Sequence, residues 1–374
     1  MLERPAPLVL VTTPPEGQPF GSHAAIAADA RRLLAADLSR RLGRLGAAVA
    51  PLPSTRAVDF HWGRWFSAAA RDTLAAAAGA VDAIGYAGGG AVCLVGDGAL
   101  DALLSPVAGE VVANNRFSAD AFVVAGDLER ALEVLATCES DNAAPRQLGD
   151  SGFALRDLGT EPWARFDLDT TLDLALLRLA TRLPGTRPLD GSLRGFLEMA
   201  RLPGDRSLEV PHLERIGEVI RDRDAELVVA GRVPASAWHE LETETACRVR
   251  CLVEERGMRS ARGPASRPRS ILAALMARSS PAELIGELAR LGDAVVLDTR
   301  VLMASVAGSS DASAWPPEED RFASDFGDHG RVETPWLREL TEAAAGGSVP
   351  FLFGGHALVS DGLRLIVAAA WQGR

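Results

Sequence analysis

The stretch Phe166-Asp167-Leu168-Asp169-Thr170-Thr171-Leu172-Asp173-Leu174 joins a short apolar alternation to the start of a leucine-rich helix. Asp167 and Asp169 alternate with apolar residues, so in a strand both carboxylates point to one face. Thr170 or Thr171 can cap the helix that follows. Two acids held where a strand passes into a helix predict a site for Mg²⁺, a cation that prefers oxygen ligands. The alternative is a helix cap with a solvated acid beside it.

Strand and helix signals alternate on both sides of this stretch, which is typical of a mainly parallel α/β sheet. The predicted strands of the first half are short apolar or β-branched runs: 8–13, 47–51, 83–87, 91–95, 111–112, 121–125 and 153–158. A run with prolines and a glycine at 183–188 interrupts the pattern, and the alternation begins again beyond it. We therefore expect two α/β domains, residues 1–185 and 189–374, that meet near this run.

The composition limits the classes of function. The chain has 374 residues and a net charge of −11 with no basic stripe, which argues against nucleic-acid binding and electrostatic attachment to a membrane. No apolar stretch is long enough to cross a bilayer and no signal-peptide pattern is present, so we expect a cytoplasmic protein. All 39 basic residues are arginine, which excludes Schiff-base chemistry and a lysine-containing phosphate loop.

Two glycine-rich turns in the first half are candidate ligand sites. Gly88-Gly89-Gly90 follows the predicted strand 83–87, and a glycine loop there can cradle a phosphate with its N–H groups. Asp97 lies between two glycines after the predicted strand 91–95. Ligands of open α/β sheets bind at the carboxyl ends of strands, which is where Asp97 is expected. A plain turn is the alternative for each segment.

Polar residues also follow two predicted strands of the second half. Asp298-Thr299-Arg300 ends one strand, and Gly354-Gly355-His356 ends another. Both segments should lie at the same edge of a parallel sheet, so we expect Asp298, Arg300 and His356 to line one cleft. His356 could act as a base or as a hydrogen-bond donor to a phosphate. The alternative is a capped helix start with a hydrogen-bonded structural histidine.

The stretch 166–174 resembles the closing motif of nucleotidyltransferases with a glycosyltransferase-A-like fold, a group that includes the molybdenum-cofactor and phospholactate guanylyltransferases. The resemblance covers residues 1–185 and implies a mainly parallel, Rossmann-like sheet of the nucleotide-diphospho-sugar-transferase type. It also implies that Asp169 is a ligand of the catalytic magnesium, that Asp167 is its neighbour, and that Asp97 is the metal-binding aspartate at the end of a central strand.

Two functions follow and stay open at this point. The first is a Mg²⁺-dependent nucleotidyltransferase that acts on a nucleoside triphosphate and a small phosphorylated or sugar acceptor, with Asp97 and Asp169 holding the ion and Arg64 or Arg116 supplying positive charge. The second is a non-catalytic module that binds a nucleotide or sugar nucleotide. The acids favour the first, whereas the second is favoured because residues 11–17 lack the glycine-rich, basic phosphate turn of the family.

Overall fold

A computed structural model describes residues 5–14, 21–53, 60–77, 81–258 and 267–372, so residues 15–17 of the opening segment lie outside it. The strands are β1 (Leu8–Thr13), β2 (Ala48–Pro53), β3 (Ala83–Ala87), β4 (Glu110–Ala113), β5 (Ala121–Ala125), β6 (Ala154–Asp157), β7 (Arg201–Leu202), β8 (Arg206–Ser207), β9 (Glu226–Gly231), β10 (Arg248–Val253), β11 (Ala294–Asp298) and β12 (Phe351–Gly354). The helices are α1 (His23–Arg44), α2 (Trp62–Ala76), α3 (Asp97–Leu103), α4 (Leu128–Ala136), α5 (Ala144–Asp150), α6 (Thr171–Ala180), α7 (Gly191–Met199), α8 (Leu213–Arg221), α9 (Ala235–Glu244), α10 (Ile271–Arg278), α11 (Pro281–Ala289), α12 (Thr299–Ala307), α13 (Glu318–Asp325), α14 (Pro335–Gly346) and α15 (Leu363–Ala370).

The first half forms a six-stranded sheet in the order β2-β1-β3-β5-β4-β6. Its neighbouring strands are parallel except at β5, which runs antiparallel to both β3 and β4. Every residue of β3 and of β5 is buried, as expected for central strands with helices on both faces. The predicted mainly parallel α/β architecture is therefore confirmed for this half.

The second half forms a separate sheet in the order β10-β9-β11-β12, in which all strands are parallel. In this sheet Asp298 lies opposite Gly354, so the ends of β11 and β12 are level, as the sequence predicts. The small ribbon β7-β8 lies between the two sheets along the chain. A second α/β sheet is thus confirmed, and the division of the chain into domains near residues 185–189 stays a prediction.

Helix α6 packs into an apolar core to which both halves contribute. Leu172 and Leu176 of α6 belong to the same buried cluster as Leu352 of β12 and Leu358 just beyond it. All of its residues except Arg178 are buried, which explains why leucine occupies more than one face of this helix. The helix therefore joins the two sheets and fixes the segment just before it, residues 166–170. None of the described helices is both long and apolar enough to span a membrane.

The prediction of a strand at 91–95 is wrong. These five residues are buried, but the chain passes through consecutive turns there, and Val92 has φ of +48°. A β-branched residue in the left-handed region is a backbone outlier that no strand pattern announces. As a result Asp97 does not end a strand. It is the first residue of the short helix α3.

Candidate functional site

The carboxyl ends of both sheets face one cavity of about 400 Å³. From the first sheet, Thr12 near the end of β1 and the glycines 88–90 after β3 line it; from the second, Arg232 follows β9 and His356 follows β12. In the first sheet the direction of the strand order reverses between β1 and β3, and in the second sheet it reverses between β9 and β11. Ligands of α/β proteins bind at such switch points, and here two of them face each other.

One wall of the cavity is acidic. Asp167 and Asp169 both line it, together with Asp120, Asp141, Asp173 and Glu318. Phe166 and Leu168 are buried between them, so the alternation predicted from the sequence is present although the segment pairs with no strand of the described chain. Burial raises the pKa of Asp167 well above its usual range, and the carboxylates of Asp169, Asp120 and Asp173 raise it further. The wall thus concentrates negative charge that an incoming cation could offset.

The glycine loop 88–90 packs against the segment that carries these acids. A Cβ on Gly90 would lie 2.5 Å from the carbonyl oxygen of Leu168 and 2.8 Å from Oδ1 of Asp167. The N–H of Gly89 donates to Oγ1 of Thr12 at 2.9 Å, and that of Gly88 donates to the Asp120 carbonyl at 2.8 Å. All three glycines border the cavity as predicted, but two of their N–H groups already have protein acceptors.

The cavity lining also contains a set of arginines, which we call the basic wall. Five arginines line it, namely Arg31, Arg165, Arg232, Arg300 and Arg321. Within the described part of the chain, the buried Nε atoms of Arg31, Arg165 and Arg321 have no hydrogen-bond partner. Buried guanidinium nitrogens normally have acceptors, and the described chain supplies none to these three atoms. The cavity therefore places positive and negative walls around a space suited to a polar ligand.

Ion pairs behind this wall fix two of the arginines. Asp298 is fully buried and accepts from Arg232 at 2.6 Å and 3.1 Å, and it also caps α12 by accepting from the Arg300 N–H at 3.2 Å. Burial opposes ionisation of Asp298, but Arg232 outweighs it and lowers its pKa. Arg300 pairs through both guanidinium arms with Asp325, one of them at 2.7 Å. Arg300 and His356 line the cavity as predicted, whereas Asp298 lies behind it and positions Arg232.

His356 differs from a hydrogen-bonded structural histidine. Its buried Nδ1 has no partner among the described residues. Burial and the charge of Arg232 lower its pKa to about 4, with Arg256 and Arg165 adding to the effect and Asp298 opposing it. The imidazole is therefore neutral at pH 7, and a neutral ring has one donor and one acceptor nitrogen. It can hydrogen-bond a ligand without adding a full charge.

Three further residues predicted to serve the site, besides Asp298, do not line the cavity. Asp97 is exposed on α3 and accepts from Nε of Arg41 at 2.9 Å, a bond that lowers its pKa. A Cβ on Gly96 or Gly98 would meet no atom within 4 Å, so no close contact in the described structure requires glycine at either position. Arg116 and Arg64 are exposed and are not among the residues that line this cavity. Asp97 lies away from the cavity because residues 91–95 form turns and not the predicted strand.

The acidic wall fits a cation that arrives with a phosphate better than a resident metal. Among the described residues, no three His, Cys, Asp or Glu side chains are arranged to hold a metal ion. Mg²⁺ is commonly bound through one or two carboxylates plus substrate phosphates. Asp167 and Asp169 can provide those carboxylates, and the ion would relieve the repulsion that raises the pKa of Asp167.

Four cavity arginines were not predicted from the sequence. Arg31 lies within α1, Arg321 within α13, Arg165 in the turn before the double aspartate, and Arg232 just after β9. Only Arg232 could have been found by pattern, because it directly follows a predicted strand as Arg300 does. The others reach the cavity only through the packing of the two halves.

No protein-family model and no curated protein matches the chain. Among solved structures, the chain is similar to a protein from Desulfovibrio desulfuricans G20 that is provisionally described as a nucleotide-diphospho-sugar transferase. The two share 12% sequence identity with a TM-score of 0.39, over 52% of this chain and 95% of the other. At this TM-score the likeness establishes neither fold nor function. The resemblance of residues 166–174 to nucleotidyltransferases therefore stays a prediction from motifs.

Proposed function

We propose that the cavity binds a nucleotide or a sugar nucleotide, with its phosphates against the basic wall. The observation that carries this proposal is the set of five arginines that line one space of about 400 Å³. Guanidinium groups bind phosphate oxygens through paired, charge-assisted hydrogen bonds. Trp315 and Phe322 border the same space and offer apolar surface for a base or sugar.

Mg²⁺-dependent nucleotidyl transfer to a small phosphorylated or sugar acceptor is the reaction that the acidic wall favours. Asp167 and Asp169 would hold the ion against the phosphates, and the ion would neutralise charge that develops at the reacting phosphorus. Binding without catalysis is the second candidate. It is favoured by the glycine loop, because the N–H groups of Gly88 and Gly89 already have protein acceptors.

Isothermal titration calorimetry with ATP, GTP, CTP and UTP, each with and without Mg²⁺, tests both candidates. Binding of one triphosphate that strengthens with Mg²⁺, followed by release of pyrophosphate in the presence of acceptors, supports the transferase. Binding that is indifferent to Mg²⁺ supports the module. If none of the nucleotides or a sugar nucleotide such as UDP-glucose binds under either condition, both candidates are wrong.

Matched variants locate the binding site. Arg31→Gln and Arg321→Gln should each weaken binding about tenfold, the loss expected for a charge-assisted hydrogen bond. Asp169→Asn should reduce the Mg²⁺ dependence while leaving metal-free binding in place. Arg290→Gln is the control, because Arg290 is exposed and pairs only with Glu287 among the described residues. Equal effects in all four variants would argue against this cavity.

A further inference from the structure

Strand β10 is an edge of the second sheet. In the described chain it pairs with β9 alone, in parallel register along its whole length. The N–H groups of Arg248, its first residue, and of Glu254, just after its last, donate to carbonyls of the β9 segment at 3.0 Å each. Successive residues of a strand direct their backbone groups to opposite sides, so residues 249, 251 and 253 direct theirs away from β9. Unpaired backbone groups in such a row can pair with another strand.

The side chains of β10 leave this edge accessible. Charged side chains on an edge strand usually discourage pairing. Here Arg248 and Arg250 both pair with Glu226 of β9, at 3.3 Å and 3.2 Å, so their charges are directed back over the sheet. Val253 of β10 is 51% exposed, and Ile271 of α10, which lies beside the end of this strand, is 55% exposed. The edge therefore combines unpaired backbone groups with apolar side chains in contact with water.

We infer that β10 pairs antiparallel with β10 of a second copy of this chain, about a two-fold axis that passes through Cys251. Two-fold dimers are the commonest homo-oligomers, and their interfaces join one surface to itself. In this register Val249 lies opposite Val253 of the second copy, and Cys251 lies opposite Cys251. All three outward-directed residues of each strand then exchange hydrogen bonds. A shift of two residues in either direction pairs only two of the three, so the backbone favours this register.

The charges of β10 favour the same register. It places Arg248 opposite Glu254 of the second copy, and the two-fold axis repeats this pair at the other end of the strand. Opposite charges in facing positions stabilise antiparallel pairs, whereas like charges destabilise them. One of the two shifted registers places Arg250 opposite Arg250 of the second copy. The partner that this edge fits best is therefore the chain itself.

Pairing at β10 joins the second sheets of the two copies. Each of these sheets has four strands, so one sheet of eight strands runs through the dimer. The strands of the two copies run in opposite directions, and their carboxyl ends lie at opposite ends of the joined sheet. Each cavity is lined by residues of a single chain. The dimer is therefore independent of the proposed function, and a monomeric variant should still bind any ligand of the cavity.

Sedimentation equilibrium of the full chain over a range of concentrations tests this pairing. We expect twice the mass of one chain at high concentration, and dissociation on dilution. Val253→Lys is the selective variant, because Val253 is exposed and a lysine there would place charge against the apolar Val249 of the second copy. The axis repeats this contact, so we expect dimerisation to weaken about tenfold. Val107→Lys is the control, because Val107 is an exposed valine of the first half.

Arg248→Glu is a second variant. It removes only ion pairing of an exposed arginine, which contributes little to folding, and it sets like charges opposite each other at both ends of the paired strands. We expect weaker dimerisation with an unchanged circular dichroism spectrum.

The position of the axis is tested through Cys251. Facing residues of a hydrogen-bonded antiparallel pair have Cα atoms about 5.5 Å apart, a separation that a disulfide can bridge. Oxidation should therefore give a covalent dimer in non-reducing electrophoresis. Cys251→Ser should abolish the covalent dimer, whereas Cys138→Ser, which removes a buried thiol of the first half, should leave it in place.

Three results would overturn the inference. The first is a chain that stays monomeric at every concentration; slow hydrogen exchange at residues 249, 251 and 253 in that monomer would mean that another segment of the same chain covers the edge. The second is a dimer that neither Val253→Lys nor Arg248→Glu weakens. The third is a dimer that forms no disulfide through Cys251.

Discussion

Asp173 caps helix α6 with a carboxyl group whose buried position disfavours its charged form. Its Oδ2 accepts from the N–H groups of Thr170 at 2.8 Å and Asp169 at 3.1 Å, while Oγ1 of Thr170 accepts from the Asp173 N–H, which completes a capping box for α6. Yet the side chain is buried at 2% exposure, and burial together with the charge of Asp169 raises its pKa to about 7. The cap is therefore held by a carboxyl group that resists ionisation.

The stability that Asp173 contributes depends on pH because its pKa differs between the folded and the unfolded chain. The pKa of Asp173 is higher in the folded state than its usual value of 3.8, so the folded chain binds more protons between about pH 4 and about pH 7. The stability that this group contributes falls as pH rises through that window, by at most about 1.4 kcal/mol per pH unit. Asp173→Asn keeps an oxygen acceptor and cannot ionise. We expect the variant to gain stability relative to the wild type on going from pH 5 to pH 8.

Urea denaturation of both proteins at pH 5 and at pH 8 measures this gain. Asp72→Asn is the control, because Asp72 is an exposed residue of α2. The same stability difference between variant and wild type at the two pH values would show that Asp173 ionises as an ordinary surface carboxylate does.

Individual residues show which parts of the site can be predicted from the sequence. Asp167, Asp169, Arg300 and His356 were predictable because each follows a recognisable strand or precedes a recognisable helix. Arg31 and Arg321 were not, since an arginine inside a helix normally lies on a solvated face. They line one cavity on helices that pack together, α1 and α13, and that contact joins residues almost 300 positions apart.

At the scale of elements, the glycine loop 88–90 and the double-aspartate segment behave as one unit. The Leu168 N–H donates to the Gly90 carbonyl at 3.3 Å, so the loop supports a segment that has no neighbouring strand in the described chain. Helix α6 anchors the other end of that segment through its capping box. The position of the two carboxylates therefore depends on close backbone contact at Gly90.

Gly90→Ala should disrupt this contact. The added Cβ would lie 2.5 Å from the Leu168 carbonyl oxygen, so the acidic segment must shift, and overpacking of this kind costs about 1–3 kcal/mol. We expect a lower melting temperature together with weaker Mg²⁺-dependent nucleotide binding. Gly98→Ala is the matched control, because its Cβ meets no atom within 4 Å and alanine is favoured in a helix by about 0.5–1 kcal/mol. Similar losses in both variants would contradict the proposed contact.

Most elements were predictable, since strands such as 83–87 and 121–125 have the bounds that their apolar runs predict. The run 91–95 was not, because a short buried apolar run has no periodicity that separates a strand from packed turns. Helix α12 was missed for a related reason: the glycine and serines around Gly308 suggest a loop, although that glycine ends the helix with φ of +64°.

For the whole molecule, the site depends on how the two sheets face each other. Glu319 of α13 caps the start of α1, with its carboxylate oxygens accepting from the N–H groups of His23 at 3.1 Å and Ala24 at 3.2 Å. The ring of His23 also stacks on Phe326, with centroids 5.7 Å apart. Helix α1 holds Arg31 and α13 holds Arg321, so this cap connects the two helices that carry these cavity arginines.

Glu319→Ala should therefore weaken both folding and binding. It removes a charged cap from a helix N-terminus, a change that costs about 1–2 kcal/mol. It also frees α13 to move relative to α1, so we expect nucleotide affinity to fall although Glu319 does not line the cavity.

Glu342→Ala on α14 is the control, because Glu342 is exposed. Glu319→Gln keeps one oxygen acceptor and should recover part of the loss in a thermal unfolding and calorimetry series. A fall in melting temperature with unchanged nucleotide affinity would mean that the cavity keeps its shape without this cap, and that the arginines of each half bind the ligand independently.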